Sequence, residues 1–571
     1  MAGAVALVLL STGGAWATPA SVDLPQQVTW SEHVAPILFQ RCVACHRPND
    51  VAPMSLLTYK EARPWAKSIR GAVTTRQMPP WDADPRYGKF SNDISLTDEQ
   101  VAVVARWVDQ GAPEGDPTKM PAPPPLPEPG TWKMGRQPDY VVDLAPVDVP
   151  ADGPDLFITQ VYGMDVPDGK WVQAIELLPG NTSVLHHVVT YLGPFGMDSQ
   201  EQTEGISDGV ERVVFLNDAA KRPAGMAERP SLGGVWVAGS PPSVFPPGTG
   251  QPLVSKQLVS LNMHYHPSGA AATDGSKVGF YFGEGELEKV ITTAFAADPG
   301  MIIPAHAEDH AEHALYLFAQ DSRILSFLPH MHTRGKSMEY TLELPDGRKE
   351  VLLSVPEYDY NWQNIYRLEE PVRAPAGSIL HVEARWNNSE SNIANPDPSR
   401  EIWWGEGTND EMLVAFFDFI VDEGQKPKAL RTDEYVTTLL SRHDPSEAFA
   451  IRIDGMAFGG PWGLVVPETG EGTFYVSMGP LMFSSTVPET IRVGDEVLLN
   501  ASLVTGGGGT RLPIAFVARH GEDGTLSGET FFGRRLSVEN LDEMRGKGQA
   551  FSGTSLAAAK GAQASAPSAG R

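Results

Sequence analysis

The sequence is short of cysteine, of long apolar runs and of basic residues. Only Cys42 and Cys45 occur among 571 residues, which excludes a disulfide-rich scaffold, since such scaffolds need several bridged pairs. Beyond the extreme N-terminus no stretch of about 20 consecutive apolar residues exists, so we predict no membrane-spanning helix. Lys and Arg number 44 against 71 Asp and Glu, a formal net charge of -27. A field of that sign repels phosphate backbones and argues against nucleic acid as a partner.

The N-terminus has the pattern of a secretory signal peptide. An apolar run over residues 2–10 has the length of a signal-peptide hydrophobic region, and Ala-Trp-Ala at 15–17 supplies the small-x-small pattern that signal peptidase cleaves. We therefore predict a signal peptide over residues 1–17 and a periplasmic or secreted protein. The alternative is that these residues form a buried strand or helix.

Helical periodicity precedes a proline-rich stretch. Within residues 97–110, apolar residues recur at i, i+3, i+4 and i+7 spacing, and acidic residues stand in the first turn. We predict a small all-α domain over residues 28–116. The run PAPPPLPEPG at 121–130 favours polyproline II, which predicts a semi-rigid linker over residues 117–135.

Beyond the linker the apolar residues alternate with a period of two. Gly, Pro, Asp and Asn separate these β-branched and aromatic runs, which is typical of antiparallel strands. We predict one β-sandwich over residues 136–295 and a second of similar kind over 296–430. Further strands, to which the sequence assigns no role, are predicted over 431–545. Residues 546–571 are rich in Ala, Ser and Gly and are predicted to be disordered.

Both cysteines belong to one motif, Cys42-Val43-Ala44-Cys45-His46. C-x-x-C-H is the pattern of c-type haem attachment, in which two thiols bind the porphyrin covalently and the adjacent imidazole ligates the iron. A thioredoxin-type redox motif is the alternative, but it is typical of a βαβ context, and these surroundings are helical. We therefore predict a cytochrome c domain with one covalently bound haem c.

A haem iron ligated by His46 also calls for a sixth ligand. Met78 lies in the run Arg-Gln-Met-Pro-Pro-Trp at 76–81, where prolines keep the chain extended. A thioether ligand stabilises ferrous iron. We predict Met78 as this ligand, with Met54 as the alternative.

Histidines form three tight groups inside predicted strands. On a strand, residues i and i+2 project from the same face, whereas adjacent residues point to opposite faces unless a bulge re-aims them. A single histidine on a strand is usually only a satisfied polar residue, but three groups together favour metal binding. Imidazole suits copper, zinc and iron, and a thioether partner selects Cu(I). The groups are His186-His187, His264-Tyr265-His266 and His330-Met331-His332.

Two ambiguities follow from the histidine pattern. His264 and His266 share one strand face, so spacing alone does not decide which of them is a ligand. His306, His310 and His313 could share a helix face and bind a metal, although their acidic, alanine-rich context favours a solvated helix or loop. The isolated histidines are predicted to be structural: His33, His381, His443 and His520.

In order and spacing, these groups and Met412 in the run GTNDEM resemble the ligand series of the type II copper, ascorbate-dependent monooxygenases. That family includes the peptidylglycine α-hydroxylating and dopamine β-monooxygenases. The resemblance covers about residues 156–421 and implies two copper ions on separate jelly-roll-like domains that face each other across a solvent-filled cleft. It implies that an electron-storing copper is held by His186, His187 and His264. It implies that the copper that binds dioxygen and substrate is held by His330, His332 and Met412.

The sequence also departs from that family. The peptide-amidating enzymes carry an arginine that grips the peptide carboxylate at the position of Leu328, and an Asn and a Tyr at the positions of Val414 and Phe416. The family's disulfides are absent, since both cysteines belong to the haem motif. A substrate other than a peptidylglycine and a more apolar pocket are therefore expected.

The resemblance and the haem motif together predict an exported, multidomain copper monooxygenase. It would hydroxylate a C–H bond of a small organic substrate with O2, while the haem relays electrons from an ascorbate-like reductant or a redox protein. One alternative is a copper and haem electron-transfer or copper-handling protein without oxygenase chemistry. Another is a binding module that recognises an extracellular polymer, with incidental histidines.

Overall fold

A computed structural model shows a mostly β protein that divides into two compact units. The helical unit comprises residues 1–80 and 94–126, and the β unit comprises residues 81–93 and 127–571. The signal peptide predicted for residues 1–17 lies outside the described residues, and none of the helices within them is long and apolar enough to cross a membrane. The structure describes residues 24–48, 50, 52–128, 130–193, 210–215, 231–237, 239–255, 257–298, 300–405, 407–428, 432–455, 461–468, 470, 472–478, 481–487, 490–505, 510–521 and 523–558.

The described part of the helical unit contains four α-helices around an apolar core. Thr97 caps the last of them through a capping box with Gln100, so the helix predicted over 97–110 is confirmed. Trp30 and Trp107 are fully buried, with ring centroids 5.9 Å apart. The helices are α1 Ala35–Arg41, α2 Tyr59–Ala62, α3 Ala66–Thr74 and α4 Asp98–Asp109.

One segment of the predicted cytochrome range belongs to the β unit instead. The N–H of Asp84 donates to the carbonyl of Ser354 at 2.8 Å, and the amide of Asn92 donates to the carbonyl of Ile365 at 2.7 Å. Hydrogen bonds to backbone carbonyls, from the backbone of Asp84 and from the side chain of Asn92, hold this segment against the β unit. Residues 81–93 therefore fold as part of the β unit.

Asp82 in this segment should make stability depend on pH. Burial, and then the charges of Asp359 and Glu357, raise the pKa of Asp82 to about 7. Since the folded-state pKa lies above the unfolded one, the ionised carboxylate opposes folding, and stability falls as pH rises from about 4 through about 7. We expect Asp82→Asn to increase the free energy of unfolding by about 1 kcal/mol at pH 8, with no gain at pH 4. Urea unfolding at the two pH values measures this.

Asp84→Asn is the matched control for that experiment. A hydrogen bond from Arg86 holds the pKa of Asp84 below its usual range, so loss of this charge should lower stability at pH 8. A stabilisation of similar size by both substitutions would contradict the assignment, because it would reflect only the reduced net charge.

In the described residues, the first sandwich of the β unit consists of a six-stranded and a five-stranded sheet, with a small two-stranded sheet of β2 and β11 beside them. Their facing sides share one apolar core, in which Phe280 of one sheet and Val259 and Leu261 of the other are fully buried. The two sheets thus pack face to face. The strands are β1 Tyr140–Asp143, β2 Val147–Val149, β3 Leu156–Met164, β4 Trp171–Leu178, β5 Leu185–Leu192, β6 Val210–Phe215, β7 Ser231–Val237, β8 Ser243–Val244, β9 Thr249–Pro252, β10 Gln257–Tyr265, β11 Ala272–Asp274, β12 Lys277–Phe282 and β13 Lys289–Val290.

In the described residues, the second sandwich consists of two four-stranded sheets, ordered β14-β23-β17-β20 and β16-β21-β18-β19, with a small two-stranded sheet of β15 and β22. Phe327 of the first packs on Tyr340 of the second, with ring centroids 4.8 Å apart. Its first strand begins at Thr292, inside the range predicted for the preceding sandwich. The strands are β14 Thr292–Ala297, β15 Ile302–Ile303, β16 His310–Leu317, β17 Ser322–His330, β18 Gly335–Glu343, β19 Lys349–Val355, β20 Tyr366–Ala374, β21 Ile379–Trp386, β22 Ile402–Trp403 and β23 Val414–Val421.

The C-terminal strands form one nine-stranded sheet, preceded by α5 Thr432–Leu440. The sheet folds over itself, because Phe474 and Phe516 lie far apart in its strand order yet their ring centroids are 5.3 Å apart. Val436 of α5 packs with Leu317 and Ile379 of the second sandwich. The elements are β24 Ala448–Ile453, β25 Trp462–Val465, β26 Gly472–Met478, β27 Leu481–Val487, β28 Thr490–Val493, β29 Glu496–Thr505, β30 Thr510–His520, β31 Thr525–Phe532, α6 Leu541–Met544 and β32 Gln549–Ser555.

The prediction of a disordered tail over 546–571 is wrong for its first part. Gln549–Ser555 forms β32, which pairs with β24 and β31 in the middle of the nine-stranded sheet, and Phe551 is buried in its core. Composition alone predicted disorder because it does not show that the backbone of this segment pairs with a strand on each edge. Residues 559–571 lie outside the described part of the chain.

Candidate metal centres

The first histidine cluster joins two neighbouring strands of the first sandwich. His264 on β10 is paired with His187 on β5, and the register then shifts so that Tyr265 is paired with Leu185. His186 is therefore the extra residue of a β-bulge, which turns it to the side of its neighbour His187. One ring nitrogen from each of the three histidines lies within 4.8 Å of the others.

His264, rather than His266, belongs to this cluster. The side chain of His264 is 1% exposed and that of His266 is 69% exposed. Both rings contact the carboxylate of Asp155 at 2.7 Å, His264 through Nε2 and His266 through Nδ1. β10 ends at Tyr265, so the same-face rule of a strand no longer holds at His266.

The donor set of this cluster fits a metal ion. Nδ1 of His264 is buried without any hydrogen-bond partner among the described residues, while Nε2 is engaged by Asp155. Burial, with the neighbouring imidazoles, lowers the pKa of His186 to about 4 and that of His187 well below its usual value. The rings of His186 and His187 are therefore neutral near pH 7 and offer lone pairs, as an imidazole site for copper or zinc requires.

Asp155 is a positioning residue that the histidine pattern did not reveal. A carboxylate on the second ring nitrogen fixes the orientation of a ligating imidazole and raises its basicity. We expect Asp155→Asn to weaken metal binding at the first cluster about 10–100-fold, measured by chelator competition with the metal-free full chain. His266→Ala is the control, because it removes the exposed histidine that also contacts Asp155 and leaves His264 in place. An equal loss in both variants would contradict the role of Asp155 through His264.

The second cluster lies at the end of β17. The rings of His330 and His332 are nearly perpendicular, at 86°, with centroids 5.3 Å apart. Nδ1 of His330 contacts Oε1 of Gln363 at 2.8 Å, and Nδ1 of His332 contacts the carbonyl of Asp410 at 3.1 Å. Burial lowers the pKa of both rings, to about 3 for His332. The Nδ1 contact of His330 leaves its Nε2 for a metal, whereas His332 makes a further hydrogen bond with the backbone of Gly407.

Strand register brings Met412 to the same end of the sheet. β17 and β23 are antiparallel, and His330 is paired with Val414. Just beyond this last pair, outside the two strands, lie His332, two positions after His330, and the half-buried Met412, two positions before Val414. This placement agrees with a donor set of two imidazoles and a thioether.

A buried polar network precedes Met412, and sequence reasoning missed it. The Glu411 carboxylate accepts the backbone N–H of His332 at 2.8 Å, the N–H of Arg334 at 2.6 Å and the indole N–H of Trp386 at 3.1 Å. The Arg334 guanidinium, 1% exposed, donates to the side chain of Asn388 at 2.9 Å. The network ties the second His pair to the turn that carries Met412.

Tyr360 lies between the two clusters. Its ring stacks on His186 with centroids 5.5 Å apart, and its centroid is 6.3 Å from that of His332. Tyr360 is hydrogen-bonded to Thr408, whose hydroxyl is 3.4 Å from Asp155. The resemblance implies a solvent-filled cleft between the sites, but here an aromatic side chain separates them. No motif marked Tyr360 in the sequence.

The predicted haem-attachment residues fold into one turn after α1. The N–H groups of Cys45 and His46 donate to the carbonyl of Cys42 at 3.2 and 3.0 Å. Neither Cys42 nor Cys45 forms a disulfide bond with another described residue, and burial, together with Cys45, raises the pKa of Cys42 to about 12. His46 Nδ1 contacts the carbonyl of Met54 at 3.3 Å, which leaves Nε2 for a metal. The donor set of two thiols and one oriented imidazole fits haem c.

The two candidate sixth ligands differ in their surroundings. Met54 packs against the core of the helical unit, and its carbonyl engages His46 from the Nδ1 side. Met78 is half-buried, and its N–H donates to the carbonyl of Ala72 at 3.1 Å. Because the carbonyl of Met54 contacts His46, Met54 lies on the side of the haem that His46 would occupy. Met78 therefore remains our prediction for the ligand on the opposite side of the haem.

The His306, His310 and His313 group is not a helix face. His310–Leu317 is strand β16, in which positions three apart point to opposite faces. Each ring faces a glutamate instead: His306 contacts Glu390 and His310 contacts Glu312, both at 2.7 Å, and His313 is 4.0 Å from Glu383. Pairing with strand β21 overrides the helical spacing, so the helix prediction is wrong.

Three donor sets thus occur in one chain: two thiols with an imidazole, three imidazoles, and two imidazoles beside a methionine. All three suit ions that change valence by one electron. No protein family model matches the chain, so a functional assignment depends on the chemistry of these residues.

Proposed function

We propose that this protein is an exported, copper-dependent monooxygenase that hydroxylates a C–H bond of a small organic substrate with O2. The observation that carries the proposal is the pairing of two unlike donor sets on either side of Tyr360. Three imidazoles suit an ion that shuttles between Cu(II) and Cu(I), while two imidazoles and a thioether favour Cu(I). Bound copper would supply one-electron chemistry at both sites and dioxygen binding at the second.

The protein's own residues prepare both sites for that chemistry. Asp155 orients His264, and Gln363 and the carbonyl of Asp410 orient His330 and His332, so each ring presents a defined nitrogen. Glu411 fixes the backbone between the second His pair and Met412. The ring of Tyr360 occupies the space between the rings of His186 and His332. Such preorganisation lets an ion bind without rearrangement of its ligands.

The helical unit, in this proposal, is an all-α cytochrome c domain with one haem bound through Cys42, Cys45 and His46. Its role is to relay single electrons from a reductant or a redox protein to the first cluster. The two sandwiches are of the jelly-roll-like kind that the resemblance implies. Stopped-flow mixing of reduced haem protein with O2 tests the relay: haem reoxidation at the same rate with and without copper would contradict it.

Metal analysis and isotope labelling test the monooxygenase proposal directly. The purified holoprotein should contain two copper ions and one haem per chain. With a reductant, a metabolite extract and labelled O2, mass spectrometry should find one labelled oxygen atom in a product. A His330→Ala, His332→Ala variant is the control and should form none. Labelled product from that variant, or no copper in the wild type, would overturn the proposal.

A copper and haem electron-transfer protein without oxygenase chemistry is the second candidate. It is favoured by the position of Tyr360, because a ring near both clusters leaves less room for substrate between them. Electron transfer between two sites needs no open coordination position. The two candidates are separated by whether Met412 is needed for oxygen-dependent turnover.

Met78 should control the haem potential in either case. A methionine axial ligand raises the reduction potential of a histidine-ligated haem. We expect Met78→Ala to lower the potential by on the order of 0.1 V, measured by spectroelectrochemistry, and Met54→Leu to leave it nearly unchanged. The reverse ranking would identify Met54 as the ligand.

A further inference from the structure

A cavity of about 450 Å³ lies in the β unit between the two sandwiches. Strand β7 of the first sandwich forms one wall, and strands β14, β17, β20 and β23 of the second form the other. Most of the lining is apolar and includes Leu232, Val235, Phe245, Leu328 and Phe416. This volume and lining are typical of sites for small organic molecules.

Four polar residues interrupt the apolar lining in one row across the sheet. Thr293 is paired with Asp418, Asp418 with Ser326, and Ser326 with Arg367, so the row crosses four neighbouring strands. The Asp418 carboxylate accepts the hydroxyl of Thr293 at 2.6 Å and that of Ser326 at 2.7 Å, one on each oxygen. Asp418 is thereby satisfied within the protein.

The Arg367 guanidinium also lines the cavity, but its hydrogen bonds are not completed by neighbouring side chains as those of the Asp418 carboxylate are. It is half-buried, and it makes no hydrogen bond or ion pair with another residue of the described chain, although Asp418 is close enough to act electrostatically. Its backbone is held by Asn92 and Ser91. A desolvated guanidinium with free N–H groups is best paired by a carboxylate, which accepts two of them side by side. The other acidic lining residue, Glu369, is exposed.

The row lies directly below the second histidine cluster. On β17, Ser326, Leu328 and His330 follow each other at two-residue steps, paired with Asp418, Phe416 and Val414. The Phe416 ring centroid is 6.3 Å from that of His330. A strand rises about 3.3 Å per residue, so the polar row is roughly 13 Å from the His330 level. A molecule anchored at the row and extended along β17 past Leu328 would have its far end directed toward the cluster.

We propose that this cavity binds a small organic carboxylate, with its carboxylate paired to Arg367 and its hydrocarbon chain between Leu328 and Phe416. Binding depends only on residues of the cavity. That the bound molecule is the substrate rests on the proposed function. Its far end would then be the part presented to the His330 cluster for hydroxylation.

Calorimetric titration of metal-free full-length protein tests the site, with octanoate and octanol as probes of equal chain length. Octanoate should bind at least ten-fold more tightly than octanol. Arg367→Gln should remove this preference and leave octanol binding unchanged. Arg373→Gln is the matched control, because Arg373 is an exposed arginine on the same strand, paired with Asp321. Leu328→Trp should fill the cavity and abolish both.

Absence of octanoate binding, or a preference for octanoate that survives Arg367→Gln, would overturn the inference. Should Arg367→Gln fail to fold, the Leu328→Trp variant and competition between octanoate and octanol still decide it. Octanoate binding without any labelled product from copper-loaded protein would support the site and contradict the monooxygenase. Labelled product with no binding in the cavity would contradict the site alone.

Discussion

Met412→Leu should abolish oxygen-dependent product formation, with a loss of at least about 1,000-fold, a barrier increase of about 4 kcal/mol. Leucine nearly matches methionine in volume, so the half-buried site keeps its packing. It lacks the sulfur lone pair, and with it the soft ligand that favours the cuprous state able to bind O2. Labelled-O2 product analysis on copper-loaded protein measures the loss.

The control for Met412 is Met338→Leu in the same sandwich. Met338 is 1% exposed on β18, so this change tests methionine packing without touching the histidines. Turnover in Met412→Leu within a few-fold of wild type would eliminate Met412 as an essential ligand. A different result would favour the electron-transfer candidate: Met412→Leu retains copper less well, and the wild type itself forms no oxygen-dependent product.

Glu411→Leu should destabilise the β unit by about 3–5 kcal/mol, because it removes the buried acceptor of several N–H groups. Glu411 is fully buried, and its oxygens accept three N–H groups, of His332, Arg334 and Trp386. The substitution leaves all three without acceptors. Urea unfolding measures the stability, and copper titration should show a weaker second site, because His332 loses its backbone anchor.

Two further variants sharpen the Glu411 experiment. Burial raises the pKa of Glu411 to about 7, against the hydrogen bonds and the charge of Arg334. Glu411→Gln keeps an acceptor but removes the charge, so we expect an intermediate loss of about 1–3 kcal/mol. Glu401→Gln is the matched control: Glu401 also accepts a tryptophan indole, that of Trp403 at 2.6 Å, but at the surface. Equal losses at 401 and 411 would contradict the argument from burial.

The sequence predicted features that depend on neighbours along the chain. The period of 3.6 located α4, the period of two indicated sandwiches in the β unit, and the C-x-x-C-H spacing is compatible with one turn bringing Cys42, Cys45 and His46 together. Where local spacing and long-range pairing disagreed, pairing prevailed. His310 lies on a strand because β21 pairs with it, and Phe551 lies in a sheet because β24 and β32 pair.

The sequence by itself determined which ligand atoms are available and how they are spaced along the strands. Residue type and strand period depend only on neighbouring positions. Tertiary structure alone decided that a bulge turns His186 beside His187, that His264 and not His266 completes the trio, and that Tyr360 stands between the clusters. It also decided that Arg367 faces a cavity. These outcomes depend on cross-strand register and on contacts between residues far apart in sequence, which no local pattern encodes.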